Sequence, residues 1–346
     1  MIRKSLSADN LRAFLEAVRQ TGRCLIAPVR EGDLVLFREV PSAEEVLLDY
    51  GNTQWPCKEF LFPKTEPILH YRVQGGGKVE LAEPELPAQG QVIFGVRPCD
   101  AAGLLVLDAV FRWDSEDAFY LHRRERTTII GLACTEPRPE CFCTAVGLSP
   151  TGTRGSDLLL TPLDGEFLAE AVTEKGEQLL REHEGFFQDT DLAKEEVTRT
   201  VEAKIQRKQV LGPAEGTTGL RPQTPVPDLF NLPVWEEKAR KCLQCGVCAF
   251  VCPTCHCFDL VDEGNVWGGT RCRNWDSCAF ALFTQHASGH NPRPTQPARY
   301  RQRVLHKFRY FPERFGLTMC VGCGRCGVHC PVNLDIYEVA LSVLRE

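Results

Sequence analysis

The sequence predicts an α/β N-terminal domain, residues 1–210, followed by an α-helical, loop-rich domain, residues 235–346. Three observations predict it. Residues 91–132 read as strand, helix, strand, the unit of a parallel pair inside a mixed sheet. Residues 211–234 are dense in proline and glycine and read as a linker. Two cysteine runs of identical spacing lie beyond that linker, at residues 242–252 and 320–330.

The chain has 346 residues, of which 43% are apolar and 25% charged. These values are ordinary for a globular protein of two domains. The formal charge of -6 gives no reason to expect a nucleic-acid partner. The N-terminal stretch has no apolar core followed by a cleavage site, and no apolar run reaches 18 residues. The expectation is therefore a cytoplasmic protein without a membrane span. In a reducing compartment, its 18 cysteines point to metal binding rather than to disulfides.

Taken in order, residues 7–20 predict a helix, with Leu11, Phe14, Leu15 and Val18 on one face. Cys24–Val29 and Leu34–Val40 predict strands joined by a turn at Gly32. Gly75-Gly76-Gly77 reads as a hairpin turn, since no phosphate-loop pattern accompanies it. Gln91–Val96 and Thr127–Leu132 are the two parallel strands, and Ala101–Phe111 is the buried helix between them. Cys99 and Cys134 each follow one of these strands, so both belong at the same sheet edge. Open α/β sheets bind ligands at that edge. Cys141 and Cys143 come next. The four thiols are compatible with a third metal cluster and equally with buried packing residues. Asp100 is expected to cap the helix that follows it. Residues 157–173 read as two further strands, and 176–183 and 191–208 as helices with solvated charged faces.

The cysteine runs read C-L-Q-C-G-V-C-A-F-V-C-P and C-V-G-C-G-R-C-G-V-H-C-P. Both are C-x2-C-x2-C-x3-C-P, the run that holds [4Fe–4S] clusters in bacterial ferredoxins, where the fourth cysteine serves the other cluster. Cluster I is thus expected on Cys242, Cys245, Cys248 and Cys330. Cluster II is expected on Cys320, Cys323, Cys326 and Cys252. Structural zinc favours separated cysteine pairs and fits this spacing poorly. Gly246, Gly322, Gly324 and Gly327 let the loops fold tightly. The C-terminal domain is therefore read as ferredoxin-like with two clusters, carrying a long insert at residues 253–319.

Within the insert, Cys255, Cys257, Cys272 and Cys278 read as packing thiols, with a further metal site as the alternative. Arg293, Arg299, Arg301, Arg303, Lys307, Arg309 and Arg314 alternate with aromatic residues. Compensation of cluster charge, or docking of an acidic partner, explains them more simply than single-stranded nucleic acid does. His256 and His329 adjoin the cysteines and read as groups that tune potential rather than as ligands.

The segments GVRPCDAAGLLVLDAVF, CTEPRPECFC, CPTCHCFD, RNWDSCAFALFT, ASGHNPRP and HKFRYFPERFG together resemble one family. It is the iron–sulfur β subunit of sulfhydrogenase-type nickel–iron hydrogenases, a family shared with the corresponding iron–sulfur component of anaerobic sulfite reductase. The resemblance runs from about residue 20 to the C-terminus. It implies a chain that carries electrons between two neighbouring subunits. One contains flavin and reacts with NAD(P)H, while the other is catalytic or holds further iron–sulfur clusters. It also implies a third cluster on Cys99, Cys134, Cys141 and Cys143. Cys24, Cys57 and Cys272 match none of these motifs and read as ordinary thiols. No catalytic residue is expected in the chain itself. The rival readings are a redox enzyme binding substrate at the N-terminal site and a redox-sensing binding module.

Overall fold

The computed structural model describes residues 2–206, 211 and 225–345. The chain opens with β1 (Ile2–Ser7) and α1 (Leu11–Gln20), then β2 (Cys24–Glu31) and β3 (Leu34–Glu39). β4 (Thr65–Val73) and β5 (Val79–Ala82) form the expected hairpin over the three glycines. β6 (Gln91–Val96), α2 (Pro98–Phe111), α3 (Ala118–Glu125) and β7 (Thr127–Leu132) follow. The short helix α3 was not legible in the strand–helix–strand reading. β8 (Leu158–Leu163), β9 (Glu166–Ala171), α4 (Glu174–Glu182), β10 (Phe187–Gln188) and α5 (Glu195–Lys204) complete the N-terminal region.

The first sheet has eight strands in the order β10-β1-β9-β8-β7-β6-β2-β3. Its centre, β2, β6, β7 and β8, is parallel, and antiparallel strands flank it on both sides. This is the mixed α/β sheet that the sequence predicts. Alternation along the central strands feeds two cores. Val92 and Phe94 face α1 residues Phe14 and Leu15, while Ile93 faces Leu104 and Leu107 of α2. At Gly95 the register slips, and Val96 then joins Ile93 in the α2 core. Gly95 has φ +81°, and a Cβ there would lie 2.9 Å from the Pro28 ring.

About half of the expected linker, residues 212–224 of 211–234, lies outside the described residues. Where it is described, from residue 225, it carries a helix, which a linker reading did not include. This is α6 (Val226–Phe230). Pro227 sits in its first turn, where a missing N–H costs nothing. Trp235 Nε1 donates to Leu229 O at 2.7 Å and fixes the turn. α7 (Val234–Ala239) and α8 (Val247–Phe250) follow.

The insert folds back on the N-terminal part. β11 (Phe258–Asn265) and β12 (Gly268–Trp275) join β4 and β5 in a second sheet, ordered β11-β12-β4-β5. α9 (Gln296–Leu305) runs into a π-helical turn, His306–Tyr310, then α10 (Phe311–Phe315), α11 (Arg325–Val328) and α12 (Ile336–Arg345). α7, α9 and α12 share an apolar core with Phe142 from the N-terminal part. No helix among the described residues is long and apolar enough to cross a membrane.

A buried ion network fastens the second sheet. Glu66 of β4 pairs with its cross-strand neighbour Arg273 of β12 and with Arg123 of α3. Arg273 also pairs with Asp117, the α3 cap. Removing one partner of such a network strands a buried charge. Glu66→Ala is therefore expected to lower stability by about 3 kcal/mol, measured by denaturant unfolding against the parent chain.

Candidate metal centres

The loop after Cys242 turns on two residues of positive φ, Gln244 at 57° and Gly246 at 74°. A Cβ on Gly246 would lie 2.6 Å from the Phe280 ring, so the loop admits only glycine there. The result is a pocket lined by Cys242, Cys245, Cys248 and Cys330, with Cys326, Tyr300 and Arg303 at its wall. It contains about 440 Å³ of space free of protein atoms. The Gln244 N–H points at Cys242 Sγ at 3.4 Å, and the Leu334 N–H at Cys330 Sγ at 3.2 Å. Backbone donors aimed at sulfur stabilise a thiolate over a thiol.

A second pocket of the same volume, about 440 Å³, is lined by Cys99, Cys134, Cys141 and Cys143. Arg97, Arg138, Asn52, Gly322 and Cys323 complete its wall. Cys99 sits in the first turn of α2, and Cys134 lies two residues past β7. Adjacent parallel strands bring them to one edge. Arg97 holds that edge by donating to the carbonyls of Gly51, Leu132 and Ala133. Burial raises the thiols of Cys99, Cys134 and Cys141, and pushes Cys143 up to about 12.

Cys252 lies within electrostatic reach of Cys320, Cys323 and Cys326. Burial pushes Cys320, Cys323 and Cys326 up to about 12. Cys252 is instead lowered well below a usual thiol, first by a hydrogen bond from Cys255, then by Lys307, Arg303 and Lys58. Lys307 Nζ stands 3.3 Å from Cys252 Sγ and 3.0 Å from Thr254 Oγ1. This set borders both pockets: Cys326 lines the first and Cys323 the second.

The second run approaches the 140–143 loop closely. Phe142 N donates to Gly322 O at 2.8 Å, and Asn52 Nδ2 donates to Cys323 O at 3.2 Å. Cβ atoms on Gly322 and Gly324 would fall 2.5 Å from Cys143 N and 2.6 Å from Glu140 O. These glycines thus serve a contact between distant segments as well as the turn of their own loop.

Asp100 does not cap α2, as the sequence suggested. The residue at the cap position is Arg97, which makes no side-chain cap bond. The Asp100 carboxylate instead takes both ends of the Arg325 guanidinium, at 2.5 and 2.7 Å, with both side chains 1% exposed. Arg325 also donates to Thr53 O and Thr53 Oγ1. A buried guanidinium outcompetes backbone N–H groups for a carboxylate.

Among the thiols of the insert, Cys255 hydrogen-bonds with Cys252, Cys257 hydrogen-bonds with Cys278, and Cys272 sits apart in the second sheet. Cys57 packs in the α2 core with Leu61 and Phe62, and Cys24 sits at the start of β2. Among the described residues, no three Cys, His, Asp or Glu side chains converge closely enough for a single metal ion. His256 Nδ1 pairs with Thr254 O, and His329 Nδ1 with Gln54. The basic stretch of the insert is mostly not a surface patch: Arg299, Arg303, Lys307 and Arg309 are buried, Arg293 and Arg301 are half-buried, and Arg314 is exposed.

A family profile described as a 4Fe-4S dicluster domain matches residues 241–334. Across its length the chain is similar to sulfhydrogenase 2 subunit beta of Pyrococcus furiosus, at 33% identity over 344 residues. The match covers 99% of this chain and 98% of that protein. The chain belongs to the sulfhydrogenase beta-subunit family.

The donor sets suit the iron–sulfur clusters of this dicluster family. All-thiolate sites with backbone N–H groups on sulfur and glycine-lined loops are what a [4Fe–4S] group requires. The sequence analysis assigned no role to four residues that contact the cysteine loops or line the pockets: Lys58, Arg97, Asn52 and Arg325. Arg97 and Arg325 carried a local signal, beside Cys99 and inside a cysteine run, whereas Lys58 and Asn52 carried none.

The close approach at Gly322 gives a test. Gly322→Ala should drive the 320–326 loop from Cys143 and lower bound iron by about four to eight atoms per chain. Gly289→Ala, also at positive φ but with open space around it, should leave iron unchanged. Colorimetric iron assay on anaerobically purified protein reads both.

Proposed function

We propose that this chain is an iron–sulfur electron-transfer subunit of a cytoplasmic, hydrogenase-type oxidoreductase complex. It would hold three [4Fe–4S] clusters. Cys242, Cys245, Cys248 and Cys330 bind the first. Cys320, Cys323, Cys326 and Cys252 bind the second, and Cys99, Cys134, Cys141 and Cys143 the third. In this reading residues 1–210 carry the third site, residues 235–346 form a ferredoxin-like unit with the other two, and residues 211–234 link them. The observation that carries it is the sharing of walls: Cys326 borders the first pocket and Cys323 the second. The order along the relay is then first, second, third site.

Bound [4Fe–4S] clusters supply one-electron redox chemistry. The chain's own residues hold and tune. The thiolates would hold the iron, and the N–H groups of Gln244 and Leu334, which point at Cys242 and Cys330 sulfur, would stabilise charge there. Arg325 and Asp100 hold the second and third sites in register. Four thiols around the third pocket leave no vacant iron for a substrate, which favours a relay over a self-sufficient enzyme.

The matched relative is named as one subunit of a larger protein, and this chain has a surface suited to such contact. β11 is exposed along its whole length, and Leu260, Val266 and Trp267 project from its hairpin. The partners in this reading are two: a flavin-containing, NAD(P)H-linked subunit, together with a catalytic or further iron–sulfur subunit.

The deciding experiment counts iron and acid-labile sulfide on anaerobically purified protein. Three clusters give about twelve irons per chain, falling towards eight in a Cys99→Ala/Cys134→Ala variant. About eight in both proteins, at full occupancy by spectroscopy, would remove the third site from the relay.

A further inference from the structure

Three cations buried beside Cys252 have no carboxylate partner among the described residues. Lys58, Arg303 and Lys307 are 2%, 4% and 2% exposed. They come from separate elements: the turn Cys57–Phe60, α9, and the π-helical turn. Lys307 donates to Cys252 Sγ and Thr254 Oγ1. Arg303 donates to Cys255 Sγ at 3.4 Å and to Cys248 O at 2.7 Å. Lys58 donates to Cys255 O at 2.7 Å and lies 3.9 Å from the centre of the Trp275 ring. Among the described residues, none of the three forms an ion pair with Asp or Glu. Lys307 faces the Cys252 sulfur of the second site directly, while Lys58 and Arg303 face Cys255, which hydrogen-bonds with Cys252, and Arg303 also reaches Cys248 of the first site.

The other two sites are balanced differently. Among the described residues, Arg303 is the only cation on the wall of the first pocket, and its remaining walls are neutral. The third pocket has Arg97 and Arg138, but Glu136 lines it too. Arg325, between the second and third sites, is neutralised by Asp100. Uncompensated positive charge is therefore concentrated at the second site.

We infer that Lys58, Arg303 and Lys307 make the Cys252/Cys320/Cys323/Cys326 site the highest in potential of the three, so that electrons collect at the centre of the relay. The inference rests on the three-site reading above. Adding one electron makes an iron–sulfur site more negative by one charge. Burial alone opposes that change and lowers the potential. Fixed cations stabilise the reduced form, and in a low-dielectric interior their effect exceeds that of surface charges. The electron balance is simple. The site accepts one electron from a neighbouring iron–sulfur site and yields one to the other, with no bond made or broken. The three residues are positioning residues: they hold charge near sulfur and bind no iron.

The experiment is an EPR-monitored redox titration of the anaerobically purified full chain, with dithionite as reductant. The signal lost in Cys320→Ala belongs to the second site. Its midpoint is expected to be the highest of the three. Lys307→Met should lower that midpoint and leave the other two in place, and Lys307→Arg should restore it. If Lys307→Met loses about four irons, Lys58→Met decides by the same readout. A midpoint for this site below the others, or one that neither apolar variant moves while iron is retained, overturns the inference. A Cys320→Ala variant that keeps all its iron and every signal would instead sink the three-site reading, whatever the lysine variants do.

Discussion

Charge buried without a carboxylate is the constraint on which much of this structure depends. Lys58, Arg303 and Lys307 are enclosed by protein, and their hydrogen bonds among the described residues end on sulfur, hydroxyl or carbonyl oxygen. A lone ammonium or guanidinium in such a place costs several kcal/mol unless an anion faces it. Cysteine thiolates bound to iron would be such an anion. In the proposed reading the folded arrangement and the cofactor would then be linked, as in proteins whose metal ligands lie at the junction of several elements. Burial pulls Lys58 down to about 8, an effect opposed by Cys255 and Cys252.

The second cysteine run is the physical junction of the molecule. Its glycines allow backbone contact with the 140–143 loop, and its arginine reaches across to Asp100 on α2. Asn52 and Thr53, from the loop after β3, bind the same run from another side. Phe142 enters the apolar core of α7, α9 and α12. The strands β11 and β12 extend the β4–β5 hairpin, and the Glu66–Arg273 pair locks them there. Cysteines far apart in sequence thus share walls because several independent contacts hold the N-terminal sheet against the C-terminal helices.

Much of the fold was legible in the sequence where local pattern and burial agree. Leu11, Phe14, Leu15 and Val18 mark one helix face, and all four are buried. The parallel pair β6 and β7 follows from two β-branched runs around an apolar helix. The linker helix α6 was not legible, because Pro227 reads as a breaker unless its place in the first turn is known. Pairing of β4 with β12 was not legible either, since strands some two hundred residues apart leave no mark on either local pattern.

By itself, the sequence determined the cysteine spacing, and with it the kind of donor and the preference for iron–sulfur chemistry. That preference is local: a tight loop with thiols at fixed intervals dictates what it binds. Only the tertiary structure decided which cysteines share a wall, that Asp100 serves Arg325 rather than its own helix, and that Lys58 faces Cys255. Contacts and charge balance depend on distance in space, which local spacing does not encode.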